Sequence, residues 1–212
     1  MILELALLLI AAQIMFGPWS AQISNMLGWA AISPSPARRY VIMVFSIVIF
    51  VRYIFTMFYM IKRRIPWSEA FTIPFAFALY YLGFAMLVLP AAAPLGLIDY
   101  LGIALFAFGC WLNTTSEMQR DRFKRDPNNK GKLFTSGLFA WSMHINFFGD
   151  ILWVAGYAII SQNIWAALIV LFIFCFFVFF NVPKLDAYLA NRYGEEFKAY
   201  ALHTKRLVPL VW

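Results

Sequence analysis

Apolar residues run through this chain in long unbroken stretches, punctuated by short polar clusters. Crossing a hydrocarbon layer takes roughly 20 apolar residues in a helix, because lipid leaves an exposed backbone group without a partner. Six segments fit that pattern: 2–17, 40–61, 70–89, 98–118, 144–160 and 164–182. Gly17, Pro18 and Ser20 break the chain after the first, so segment 18–33 could re-enter the membrane as a seventh. Pro90 closes the third, and the fourth changes from apolar, Leu101 to Leu112, to polar at Asn113. The pattern predicts an all-α, polytopic membrane bundle of six, or seven, transmembrane helices with a helical C-terminal tail, in one integral membrane domain over 1–212.

Composition removes the soluble alternatives. Of 212 residues, 63% are apolar and 13% charged, against about 45–50% and about 25% in an ordinary soluble domain. Disordered and collagen-like chains need few large apolar side chains, whereas this one has 23 Phe and 8 Trp. Cys110 and Cys175 lie in separate apolar runs and read as reduced packing residues. Residues 1–12 read as a span rather than a cleavable signal, since they lack a basic start and include Glu4.

Charge then orients the bundle. Basic loops stay cytoplasmic, and with the N-terminus inside, one side holds three cations at Lys62–Arg64, six from Arg120 to Lys132 and five in the tail. Those are fourteen of the 17 Lys and Arg. The other side keeps Arg38 and Arg39, and Arg52 falls inside a span. Both termini are therefore expected in the cytoplasm. The net charge of +7 is accounted for by topology and anionic lipid, with no nucleic acid.

Ionisable groups at membrane depth are expensive and mark a functional interior. Asn113, Glu117, Arg120 and Lys124 recur at helical spacing and form one stripe running out of the fourth span. Asn146 and Asp150 repeat the i, i+4 arrangement at the start of the fifth, and Lys184 and Tyr188 repeat it at the end of the sixth. Three helices thus end in polar faces on one side of the bilayer, which predicts a shared pocket. Its cations suit phosphate, and its amides and carboxylates suit hydroxyl or amide groups. No G-x-G-x-x-G or Walker A sequence supplies a soluble nucleotide fold. With only His144 and His203, the histidine boxes of membrane di-iron enzymes cannot be built, so no metal is expected. Neither histidine has a motif-placed nucleophile and carboxylate for Ser-His-Asp hydrolysis, and His144 reads as an interfacial hydrogen-bonding residue.

Gly137-Leu138-Phe139, Asn146-Phe147-Phe148-Gly149-Asp150 and Gly156-Tyr157-Ala158 resemble the C-terminal half of the steroid 5α-reductases, and Asn113 with Glu117 resembles that family's N-x-x-x-D pair. Tyr188, the run Arg192-Tyr193-Gly194-Glu195-Glu196-Phe197 with Tyr200, and Leu207-Val208-Pro209 resemble an ending shared with the isoprenylcysteine carboxyl methyltransferases. The resemblance spans roughly residues 110–212. It implies a membrane reductase that takes NADPH from the cytoplasm and passes hydride to an enone in a steroid-like or other lipid substrate. Residues 96–212 would then be the cofactor half and 1–95 the substrate-cavity half.

By that resemblance Asn113, Glu117, Asn146, Asp150 and Tyr188 contact the cofactor, beside Arg120 of the same stripe. Lys124 and Lys132 stand where the family places arginines near the phosphates, and Lys184 stands near a family histidine. Tyr53, in Val51-Arg52-Tyr53, resembles the tyrosine that polarises the substrate carbonyl. The reductases also use a Gln-Glu pair in their first loop. This chain has no such dipeptide, which leaves Glu69 as the candidate acid. The alternative is a methyltransferase using S-adenosylmethionine and acting on isoprenylcysteine or phospholipid. The shared ending fits that class equally well, but its Arg-His-Pro tripeptide is replaced here by Met143-His144-Ile145. A transporter or scaffold would need a polar path through the bilayer, whereas the polar faces gather on one side.

Overall fold

The apolar runs fold as helices in a computed structural model that describes residues 1–29, 36–60 and 67–212, with side chains in the last segment from residue 71. Helix α1 (Ile2–Phe16) stops at Gly17, and α2 (Trp19–Met26) departs from it at 71°. The bend is held from α3 (Pro36–Met60), where Arg39 Nη1 donates to the Met15 carbonyl at 2.7 Å and to the Ser20 hydroxyl at 2.9 Å. Helix α4 starts at Trp67, contains Pro74, widens into a π turn at Leu79–Gly83 and ends at Leu87. Then come α5 (Leu97–Arg125), α6 (Ile145–Ser161) and α7 (Ala166–Tyr193). The π turn Phe177–Asn181 in α7 comes just before Pro183, whose ring has no N–H to give the ladder. Gly194, at φ +53°, turns the chain into α8 (Glu195–His203), and only glycine takes that backbone conformation without strain. No strand occurs among the described residues.

Three helices, α3, α5 and α7, are long and apolar enough to cross a membrane, and the bent pair α1–α2 makes a fourth if it is one span. That is fewer than the six expected from the pattern. Helix α6 has 17 residues, about 25 Å at 1.5 Å each, and residues 61–66 ahead of α4 lie outside the described ones. With 8 residues, about 12 Å, α2 is too short to cross. Large apolar side chains stay exposed along the long helices, among them Val44 and Val51 on α3, Leu101 and Trp111 on α5, and Phe172 and Phe179 on α7. Hydrocarbon tolerates such a surface and water does not. The chain is a helical membrane protein.

Packing divides it into two compact units, Met1–Phe106 with Val154–Ile169, and Ala107–Trp153 with Val170–Trp212. The first unit is centred on Tyr157, which is fully buried against the rings of Phe45, Phe84 and Phe106 and donates to the Ser46 hydroxyl at 3.2 Å. The tyrosine of the Gly156-Tyr157-Ala158 motif is thus a core residue. In the same unit the structure corrects the placing of Arg38 in an outer loop. Helix α3 already includes it, and Arg38 is fully buried with Asp99, whose carboxylate it meets at 2.5 and 2.6 Å. Its remaining donors reach the carbonyls of Ala93, Pro94 and Ile160 at 2.8–3.0 Å. A charge at the start of a helix reads as a loop marker, but here three carbonyls and a carboxylate converge on it.

The second unit is closed by its C-terminal segment. Met143 N–H donates to the Lys205 carbonyl at 2.8 Å, His144 N–H to that of Arg206 at 3.0 Å, and the Ser142 hydroxyl to that of Leu207 at 2.8 Å. Asp186 of α7 fastens both strands of this clasp, with one carboxylate oxygen 2.8 Å from His144 Nε2 and the other 2.9 Å from Arg206 Nε. Phe197 and Tyr200 of α8 pack against Met143, Leu133 and Leu189. The Tyr200 hydroxyl donates to the Phe139 carbonyl at 2.5 Å, and burial pushes its phenol well above the ordinary tyrosine range. The Glu196 carboxylate accepts from Leu133 N–H at 3.0 Å. In the ending that resembles both reductases and methyltransferases, Glu196, Phe197, Tyr200 and Leu207 are therefore structural contacts of this unit.

Candidate cofactor site

The polar stripe of α5 meets the start of α6 because both helices have glycine at the crossing. A Cβ on Gly109 would lie 2.5 Å from the Gly149 carbonyl and the Trp153 nitrogen, and one on Gly149 would lie 2.8 Å from Asn113 N. With hydrogen in their place the backbones touch, and side chains one turn along interlock. The Asn113 amide donates to Asp150 Oδ1 at 2.9 Å and to the Asn146 carbonyl at 3.2 Å. The Asn146 amide donates to Glu117 Oε1 at 2.9 Å, and Trp153 Nε1 donates to Asp150 Oδ1 at 2.8 Å. Glu117 is ion-paired with Arg120, whose guanidinium lies 5.6 Å from the centre of the Phe139 ring. Asn146 is buried, whereas Glu117 and Arg120 keep 24% and 31% of their side-chain surface exposed, so the network is open at its polar end.

Beyond that end the field is positive. About 20 residues from Leu97 suffice to cross the hydrocarbon, and Lys124 lies past them. Partial desolvation, then the charge of Arg120, with a further contribution from Arg192, hold its ammonium below the ordinary lysine value. Arg192 donates to the Tyr188 hydroxyl at 2.9 Å and stacks near the rings of Tyr188 and Tyr193. The carboxylates of Glu117 and Asp121 offset part of this field at Lys124, and the cations that remain at the mouth of the amide and carboxylate cluster suit an anion.

The structure thus brings Asn113, Glu117, Arg120, Asn146 and Asp150 into one network, with Lys124 and Tyr188 in its outer field. Lys184 and Lys132 are exposed, and no side-chain contact to the network is described for either. Arg192 was missed, although it continues the Lys184, Tyr188 spacing by one more turn. In the first unit Tyr53 is half-buried against Phe77, and its hydroxyl lies 3.4 Å from Glu4 Oε1. Glu4 is 2% exposed and was not anticipated as Tyr53's partner; an acid in an apolar first span was the available signal. The side chain of Glu69 lies outside the described residues. His144 serves the clasp, and the Ser142 hydroxyl faces carbonyls, so no hydrolytic triad forms there. No group of three or more His, Cys, Asp or Glu able to hold a metal occurs among the described residues.

A helical membrane protein with a polar, cation-rimmed site at the end of its helices is the class that fold and site define. The chain matches the family described as proteins of unknown function, DUF1295, over residues 9–204, and it belongs to that family. It is also 36% identical over 92 residues to a probable O-methyltransferase, ustE, of Ustilaginoidea virens. That stretch is 43% of this chain and 32% of the relative, so the chain spans about a third of the relative's length. Both matches agree with the resemblance to the superfamily of steroid 5α-reductases and isoprenylcysteine carboxyl methyltransferases.

Proposed function

We propose that this protein is an NADPH-dependent membrane reductase of an enone C=C bond in a steroid-like or other lipid substrate. The observation that carries the reading is the interlocked Asn113–Asp150 and Glu117–Asn146 cluster rimmed by Arg120, Lys124 and Arg192. The donor set fits the dinucleotide: amides and carboxylates for ribose hydroxyls and the carboxamide, cations for phosphates. Bound NADPH would supply the hydride. Arg120 and Lys124 hold phosphate oxygens, while Asn146 and Asp150 orient the polar end of the nucleotide. Tyr53 donates a hydrogen bond to the substrate carbonyl, where negative charge develops as the β-carbon is reduced. Glu4 is a closer partner for Tyr53 than the sequence offered, and Glu69 keeps the role of substrate-side acid by resemblance alone. In the same reading the 17-residue apolar helices Phe71–Leu87 and Ile145–Ser161 complete six spans, with both termini cytoplasmic.

A second reading, transfer of a methyl group from S-adenosylmethionine, has a specific observation in its favour, the stretch similar to a methyltransferase-named protein. Thermal unfolding of the detergent-solubilised protein with each cofactor separates the two. Stabilisation by NADPH and none by S-adenosylmethionine supports the reductase, and the reverse pattern transfers the site to the methyltransferase.

A further inference from the structure

The second unit holds a cavity of about 640 Å³, within the range of about 300–1,000 Å³ that small-molecule sites occupy. It is separate from the polar network: Asn113, Glu117, Asn146 and Asp150 do not line it. Eight of its ten lining residues are apolar, and the other two, His203 and Lys205, are both basic. Six of the ten lining residues are exposed, Trp141, His203 and Lys205 among them, so the open rim of the cavity carries an ammonium, an imidazole and an indole. The inner wall includes the buried Leu112, immediately before Asn113 in α5, and the buried Ile145 at the start of α6. The cavity therefore runs from hydrocarbon depth to the polar boundary of the membrane. Its outer wall is fixed, since the backbone of Lys205 is bonded to Met143 and that of Arg206 to His144.

We propose that this cavity binds one acyl chain of an anionic phospholipid, with the phosphate at Lys205 and His203. A peptide would bury backbone groups among side chains that offer few partners. A hydrocarbon chain needs none. A zwitterionic lipid such as phosphatidylcholine would bring its own cation beside Lys205, and no carboxylate lines the cavity to offset it. Trp141 at the rim is the residue type that settles at the headgroup level. The occupant of this site is independent of the reaction catalysed elsewhere, so the proposal does not rest on the reductase reading.

The test uses the full-length protein in nanodiscs of equimolar phosphatidylglycerol and phosphatidylcholine with identical acyl chains, followed by native mass spectrometry of the lipid that stays bound. One phosphatidylglycerol per chain is expected, preferred roughly fivefold or more over phosphatidylcholine, the factor set by one cation near an anionic headgroup. Lys205→Gln should abolish most of that preference, Lys205→Arg should keep it, and Ala140→Leu, which fills the cavity, should release the lipid whatever its headgroup. Equal retention of the two lipids, or an undiminished preference in Lys205→Gln, would mean an adventitious annular lipid only and would overturn the proposal. Displacement of phosphatidylglycerol by equimolar oleate would overturn it too, in favour of a free fatty acid. Melting curves of each variant show that it folds, and if Ala140→Leu does not, the Lys205 pair decides alone.

Discussion

In the first unit the Arg38 guanidinium uses all five of its N–H groups, two on the Asp99 carboxylate and three on the carbonyls of Ala93, Pro94 and Ile160, at zero exposure. In the second, Asn113, Glu117, Asn146 and Asp150 are also bonded to one another, yet the network opens through Glu117 and Arg120 to a crowd of cations. The same residue types serve two ends. A site with every donor matched and no exposure has nothing left to offer a ligand, and its worth is structural. A site with matched donors at its base and partly exposed ionic groups at its mouth keeps a face on which a ligand can act.

The largest effect is expected where the closed site is broken. Arg38→Leu leaves the Asp99 carboxylate buried with no counter-charge and only the Gly96 N–H at 2.7 Å as partner, and should cost about 3–5 kcal/mol, with the double variant Arg38→Leu/Asp99→Leu recovering much of it. Unfolding in detergent measures this, and NADPH should not rescue the single variant. Tyr53→Phe comes next. Loss of an oxyanion-type donor of about 2.7–4 kcal/mol should reduce turnover of an enone lipid roughly 10²–10³-fold, with nucleotide affinity held within about threefold. Wild-type turnover would assign the donor elsewhere.

Asp150→Asn sharpens the contrast between the sites. It should lower nucleotide affinity by about 1–3 kcal/mol with a smaller change in unliganded melting. If it lowers melting without touching affinity, the open network belongs with the closed one. The smallest effect falls at the rim. Lys124 must be protonated to hold a phosphate, and its ammonium is held below the ordinary value, so nucleotide affinity should weaken on the alkaline side as that proton leaves. Lys124→Gln should flatten this pH dependence and cost a few-fold in affinity, readable by titration at two ionic strengths.

The sequence made the helices and the polar faces legible, because an uninterrupted apolar run and an i, i+4 pair are local signals. Asn113, Glu117, Asn146 and Asp150 were found that way, although nothing local states that Asn113 meets Asp150 or Glu117 meets Asn146. What remained hidden is non-local. Arg38 and Asp99 each look like a charge at the edge of a span, and their pairing across 61 positions has no period to betray it. Glu4 and Tyr53, 49 positions apart, are the same case. The motifs Gly156-Tyr157-Ala158 and Arg192 to Tyr200 were recognisable as patterns, but a pattern does not say whether it is shared for chemistry or for packing. Tyr157, Phe197 and Tyr200 turn out to be packing.

The clasp between Ser142–His144 and Lys205–Leu207 sets an order of assembly. A nascent chain emerges from its N-terminal side, so Met143 and His144 reach the membrane with their N–H groups waiting for carbonyls that are synthesised about sixty residues later. At chain growth of roughly 5–20 residues per second, that is a delay of about three to twelve seconds. During it Asp186 also arrives, but Arg206 does not, and the unit stays ajar. A stall after Ile169, or the unravelling of residues 205–207, should therefore strand a protein whose first unit is finished and whose second stays unclosed.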